Sequence, residues 1–176
     1  MNNIIVVGFM GCGKSSIARY ISKHYGYRFV DTDKLIEKQE KISIKEIFKQ
    51  KGENYFRMLE REIIDTNLSF CDGCVISTGG GFVCHFNNMN KLKKIGWVFW
   101  LNISFEDIIK RIGNRENRPL LQDLDKAKEL YDFRLKFYKQ AHFSIDANDS
   151  LENIAKNIIS KISSVETLQS SASTFR

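Results

Sequence analysis

Short, unbroken apolar runs alternate along this chain with longer stretches in which apolar residues return every three or four positions. The first run, Ile4-Ile5-Val6-Val7, is rich in β-branched residues and stops at Gly8. A run without polar alternation reads as a strand buried on both faces, as in a parallel sheet. Residues 27–30, 74–77, 97–101 and 143–145 read as further strands. Between them the spacing is helical. Ile17, Ala18, Ile21 and Tyr25 line one face of a helix that Gly26 ends. Residues 34–69 read as helical with a break near Gly52. Ser104, followed by Glu106 and Asp107, fits the start of a helix that runs to about Ile112. Residues 125–141 and 151–162 are also helical, the second with a face of Leu151, Ile154, Ala155, Ile158, Ile159 and Ile162. Residues 113–123 are polar, hold the chain's one proline, Pro119, and read as a mobile loop. The Ser- and Thr-rich stretch 163–176 reads as a disordered tail. Strands that alternate with helices imply βαβ units, so the expected fold is three-layer α/β, one domain over residues 1–162.

Composition narrows the function classes. With 43% hydrophobic and 27% charged residues, the chain can bury a core. It lacks an apolar run long enough to span a membrane, and Met1-Asn2-Asn3 is not the basic start of a secretory signal, so a cytoplasmic location is expected, with no membrane partner. The formal charge of +6 suits anionic ligands, but the basic residues are scattered and do not form an aromatic-interleaved stripe, so no nucleic-acid partner is expected. Cys71-x-x-Cys74 with Cys84-His85 invites a zinc reading. The gap from Cys74 to Cys84 is short for structural zinc patterns, and Cys74 opens an apolar strand, so small buried hydrophobes are the better reading.

The strongest chemical signal follows the first strand. Gly8-Phe9-Met10-Gly11-Cys12-Gly13-Lys14-Ser15 matches G-x-x-x-x-G-K-[ST] in full. A buried strand precedes it and an amphipathic helix follows, which is the context this phosphate-binding loop requires. Backbone N–H groups there turn inward around an anion, and the helix N-terminus adds a positive dipole end. Lys14 is expected to reach the β- and γ-phosphates of a nucleotide, and the Ser15 hydroxyl to ligate Mg2+.

The rest of the chain separates kinase from switch. The one Asn-Lys pair, Asn90-Lys91-Leu92-Lys93, lacks the aspartate of a guanine-specificity stretch, and no aspartate is followed three residues later by glycine. A regulatory GTPase is therefore not expected. Asp31-Thr32-Asp33 closes the second strand, beside the phosphate loop. One carboxylate there can hold Mg2+ through water, and the other can accept or orient a hydroxyl proton. Gly79-Gly80-Gly81 after the third strand lets backbone approach a ligand closely. Arg115 and Arg118 in the polar loop offer charge for a transferred phosphoryl group, and the chemistry alone does not choose between them.

Taken together, residues 8–16, Asp31-Thr32-Asp33, Phe56-Arg57, Glu60, Gly79-Gly80-Gly81, Arg118-Pro119-Leu120-Leu121 and Arg134 with Tyr138 resemble the shikimate kinase family, from Ile4 to about Ile162. The resemblance implies a P-loop kinase fold with a five-stranded parallel sheet in order 2-3-1-4-5, helices on its flanks and a mobile lid at 113–123. It implies a monomer that phosphorylates the 3-hydroxyl of shikimate with ATP, on the route to chorismate. Asp33 would bind the acceptor hydroxyls and serve as base. Arg57 and Arg134 would grip the carboxylate, Gly80 would give a backbone contact, and residues 34–69 would form the shikimate-binding segment. Glu60 would orient Arg57. Gly11, Cys12, Gly13, Lys14, Ser15 and Ser16 would hold the phosphates, Arg111 would stack on adenine and Arg118 would act from the lid. Ser15, and Asp31 through water, would serve Mg2+. Three positions depart from the family pattern, one of them Arg115, an extra charge in the lid. Asp149-Ser150 follows Asn148 where some relatives carry an arginine, and Cys12 stands where many have Ser or Ala. A kinase for another hydroxy acid such as gluconate is the alternative, and a non-catalytic ATP-binding regulator a more distant one.

Overall fold

The computed structural model describes residues 2–113 and 123–173. Five parallel strands form one sheet: β1 (Asn3–Val7), β2 (Arg28–Asp31), β3 (Cys74–Ser77), β4 (Gly96–Asn102) and β5 (Phe143–Asp146). Their order is β2-β3-β1-β4-β5, as the resemblance implied. β1 is central, with Ile5 opposite Ile76 of β3 on one side and Val98 of β4 on the other. All five β1 residues are buried, which explains the unbroken apolar run. Each such Ile or Val contributes about 1.5–3 kcal/mol of transfer free energy. The polar exception is Asn3, whose amide donates to Cys71 and Ile95 carbonyls while its Oδ1 accepts from Cys74 N–H, tying three segments together beneath the sheet.

Helices flank the sheet: α1 (Lys14–Tyr25), α2 (Thr32–Glu40), α3 (Ile44–Thr66), α4 (Asn88–Ile95), α5 (Phe105–Ile112), α6 (Leu124–Tyr138) and α7 (Leu151–Ser173). α1 packs on β3 and α7, and α3 packs on α2 and α4. The segment expected to be helical over 34–69 has a further division, before the break at Gly52. Lys41 takes a left-handed φ of 58°, and a Ser43–Glu46 capping box restarts the chain as α3. The expected break at Gly52 is present as a kink with φ 78° and ψ 173°. Residues 88–95, which had no element assigned from the sequence, form α4.

The C-terminal helix corrects the expectation of a loose tail from 163, because α7 runs on to Ser173. The hydroxyls that argued against helix are satisfied inside it: Ser163 donates to Ile159, Ser164 to Ser160 and Thr167 to Ser163 carbonyls. Asn2 adds a hydrogen bond from its amide to Glu166. Among the described residues no helix is long and apolar enough to cross a membrane.

Candidate active site

The order of the strands places the site. The chain runs from β1 to one side of the sheet and later returns to the other, so β1 lies at the topological switch point, where its C-terminal end opens a crevice. The loop from Gly8 to Gly13 fills that end. Gly13 takes φ 100° as the N-cap of α1, and no side chain caps this helix, so its first N–H groups face the crevice. Lys14 is buried and curls back over its own loop, donating to the Gly8 and Phe9 carbonyls at 2.9 Å each. The ammonium is thus held within the cradle by exchangeable carbonyl contacts. Cys12 is buried in the loop, and a Cβ on Gly8 would come within 2.9 Å of its sulfur.

The two residues expected at the metal lie together. Ser15 Oγ is 3.4 Å from Asp31 Oδ2 and 3.0 Å from Ser77 Oγ. Asp31 also caps α2, and its Oδ1 accepts from the N–H groups of Asp33 and Lys34. Those two bonds fix the carboxylate and turn Oδ2 toward Ser15. Two hydroxyls and one carboxylate oxygen form a hard donor set beside a phosphate cradle. This fits Mg2+, which keeps several waters and takes few protein ligands. No compact group of three His, Cys, Asp or Glu exists among the described residues, so Cys71, Cys74 and Cys84 do not assemble a metal centre there. Ser77 escaped the sequence reading, although its place at the end of β3, two residues before the glycines, was a usable signal.

The three consecutive glycines explain the acceptor side. A Cβ on Gly79 would sit 2.8 Å from Asp33 Oδ1 and 3.2 Å from Glu60 Oε1, one on Gly80 3.3 Å from Arg134 Nη1, and one on Gly81 2.7 Å from Arg57 Nη1. A side chain at Gly79 or Gly81 would push against these charged groups, and one at Gly80 would crowd Arg134. Thr32 Oγ1 accepts from the Gly79 N–H, and the Tyr138 hydroxyl donates to the Gly80 carbonyl at 2.6 Å, which pins this backbone from two helices. Arg57 and Arg134 are both buried. Arg57 donates from Nη1 to Glu60 at 2.9 Å and from Nε and Nη2 to Glu53 at 3.1 and 2.7 Å. Arg134 also lies over the Phe9 ring. Glu53 was missed in the sequence, though its four-residue spacing from Arg57 on a helix was readable.

Asp33 Oδ1 and Glu60 Oε1 are sealed from solvent without a hydrogen-bond partner in the described structure. Burial, with the neighbouring Asp31 charge, pushes the Asp33 carboxyl up to about 6 against the pull of Lys14. Burial pushes Glu60 up to about 7, outweighing the Arg57 guanidinium. Of the two, Asp33 also lines a cavity, which makes its perturbed carboxyl the candidate for contact with a hydroxylated molecule. The cavity is about 320 Å³ and is lined by Met10, Lys14, Ser15, Asp33, Gly79 and Gly80, among others. It therefore joins the phosphate cradle to the acceptor carboxylate.

A second cavity, of about 430 Å³, opens on the other side of the loop between Gly13, Ser16, Leu101, Arg111, Asp149 and Ile154. Arg111 donates to the Ala147 carbonyl and to Asn148 Oδ1, so the arginine expected at adenine is anchored to the turn before α7. Asp149, the departure from the family pattern, lies in this wall. Arg115, Arg118 and Pro119, on which the expected lid rests, lie outside the described residues.

Comparison with known proteins agrees with this fold. The sequence model of the shikimate kinase family matches residues 10–163. A shikimate kinase of Sulfurihydrogenibium sp. is 44% identical over 164 residues, covering 92% of this chain and 98% of that protein. One from Helicobacter hepaticus is 41% identical over 162 residues, covering 90% and 95%. The crystal structure of shikimate kinase from Aquifex aeolicus superimposes with a TM-score of 0.81 at 34% identity, covering 92% of this chain and 96% of that one. The Acinetobacter baumannii enzyme, solved in complex with shikimate, gives 0.83 at 32%, covering 93% and 94%. A gluconokinase from Sinorhizobium meliloti scores 0.57 at 16% identity, covering 96% and 95%, a likeness of fold alone. By sequence model, by curated relatives and by structure, the chain belongs to the shikimate kinase family.

Proposed function

We propose that this enzyme transfers the γ-phosphoryl group of ATP to the 3-hydroxyl of shikimate. The observation that carries the reading is the single cavity in which the phosphate loop faces Asp33 and the glycine stretch that Arg57 and Arg134 back. The loop from Gly11 to Ser16, Cys12 included, holds the phosphates, and the second cavity with Arg111 holds the adenine. Lys14 leaves the Gly8 and Phe9 carbonyls for phosphate oxygens, exchanging neutral acceptors for charged ones. Ser15 and Asp31, with Ser77 beside them, hold Mg2+, which supplies charge neutralisation at the phosphates when bound.

The guanidinium forks of Arg57 and Arg134 receive the acceptor's carboxylate, and Gly80 lends a backbone contact. That anchoring points the ring hydroxyls at Asp33. The Asp33 carboxylate, which lines the cavity, accepts the hydroxyl hydrogen bond and then the proton as the oxygen attacks phosphorus. Arg118 is assigned the transition-state charge, from its match to the family motif. A cytoplasmic location and a monomeric working state are carried over from the same resemblance.

A coupled assay of ADP release with Mg-ATP tests the reading against shikimate, gluconate, quinate and no acceptor. Release that depends on shikimate supports it. Release with gluconate alone would keep the kinase and discard shikimate as its acceptor.

A further inference from the structure

Arg57 has two glutamate partners of different kinds. Glu60 is fully buried and takes Nη1 from behind. Glu53 is 58% exposed and takes both Nε and Nη2 on a single oxygen. The Nε–Nη2 edge is the face of a guanidinium that best fits a carboxylate. Glu53 also feels the charges of Arg134 and His85, and its hydrogen bond to Arg57 holds its carboxyl below the ordinary value. It is the first residue beyond the Gly52 kink, at the start of the second half of α3. An exposed carboxylate therefore sits in the field of both arginines to which the proposed function assigns the acceptor's carboxylate.

We infer that Glu53 is an internal carboxylate that occupies the Arg57 fork in the substrate-free protein and is displaced by the carboxylate of the acceptor. The inference rests on the reading of Arg57 and Arg134 as the carboxylate clamp. The exchange replaces one anion by another on the same donors, so the Nε–Nη2 edge of the arginine never stands without an acceptor, which would be costly. Glu53 then moves to water, where an exposed carboxylate is well solvated. The arrangement discriminates as well as protects. A neutral polyol offers nothing that competes with Glu53 for a guanidinium, whereas an acid of the right shape does. Glu53 is thus a specificity-determining residue for the acceptor, acting by competition.

Calorimetric binding without ATP tests this on the full chain, with shikimate and with an analogue that carries a hydroxymethyl group in place of the carboxylate. Glu53→Gln and Glu53→Ala are each expected to tighten shikimate by about two- to fivefold, the scale of an exposed ion pair. The analogue should bind equally to variants and wild type. Unchanged or weaker shikimate binding in both variants would overturn the inference and make Glu53 a support for Arg57. An equal gain for both ligands would also overturn it, because the effect would not be carboxylate exchange. Wild-type protein that neither binds shikimate nor releases ADP with it would instead sink the reading of shikimate as the acceptor, and this inference with it.

Discussion

At the scale of single residues, Asp33 combines two properties that rarely coexist. It lines the ligand cavity, yet its Oδ1 is sealed and unpartnered. Burial raises its pKa to about 6, which places a proton acceptor close to working pH. The group must be ionised to take the hydroxyl proton, so kcat/KM should rise with pH through about 6 and level off above it. The folded value lies above the ordinary 3.8, so the limb appears higher than for an exposed aspartate. Asp33→Asn should cut turnover by roughly 10²–10⁴-fold and flatten that limb. A pH–rate series on both proteins decides this, and a variant with near-normal turnover would remove Asp33 from the role of base. Burial rather than local sequence sets this behaviour. Asp-Thr-Asp is readable in the chain, but nothing in it says that Asp33 sits against Gly79 while Asp31 turns back to cap α2 and face Ser15.

At the scale of elements, the inner strands β1, β3 and β4 were legible because each is a nearly unbroken apolar run, and parallel strands covered on both faces leave little alternative, whereas the edge strands β2 and β5 carry Arg28 and Ser144 within theirs. The phosphate loop and α1 were legible because their residues are fixed by local geometry. The failures share a cause. The division between α2 and α3 depends on a capping box, Ser43 with Glu46, hidden inside a longer helical pattern. α4 is a helix of eight residues whose periodicity spans barely two turns. The last part of α7 looked polar, but its hydroxyls bond back to the helix's own carbonyls. The Gly52 kink was expected, and the structure supplies its physical content. A φ of 78° with ψ of 173° belongs to a region essentially restricted to glycine, and a Cβ there would meet no atom within 4 Å. Gly52→Ala should therefore cost about 1–3 kcal/mol through backbone strain alone. Thermal unfolding should show a fall of about 2–12 °C for a chain of this size. An unchanged midpoint would mean that α3 straightens at no cost.

The molecule as a whole couples the nucleotide to the sheet through few groups. Ser15 begins on α1, Asp31 ends β2 and Ser77 ends β3, so the three oxygens of the proposed metal corner come from three elements that meet only in the folded chain. A ligand gripping all three stabilises the fold as a unit by mass action. ADP with Mg2+ at 100 times its dissociation constant should add about 2.7 kcal/mol. That is a rise of about 5–11 °C in the unfolding midpoint for a domain of this length. ADP with a chelator should give a smaller rise, from the loop and the adenine cavity alone. In Ser15→Ala the chelated arm should match wild type, because the backbone cradle is intact, while the increment from Mg2+ should largely vanish. If the variant keeps the full increment, the ion is held elsewhere and the pairing of Ser15 with Asp31 is only a structural tie between α1 and β2. If both arms fall together, Ser15 acts through the shape of the phosphate loop rather than through a metal.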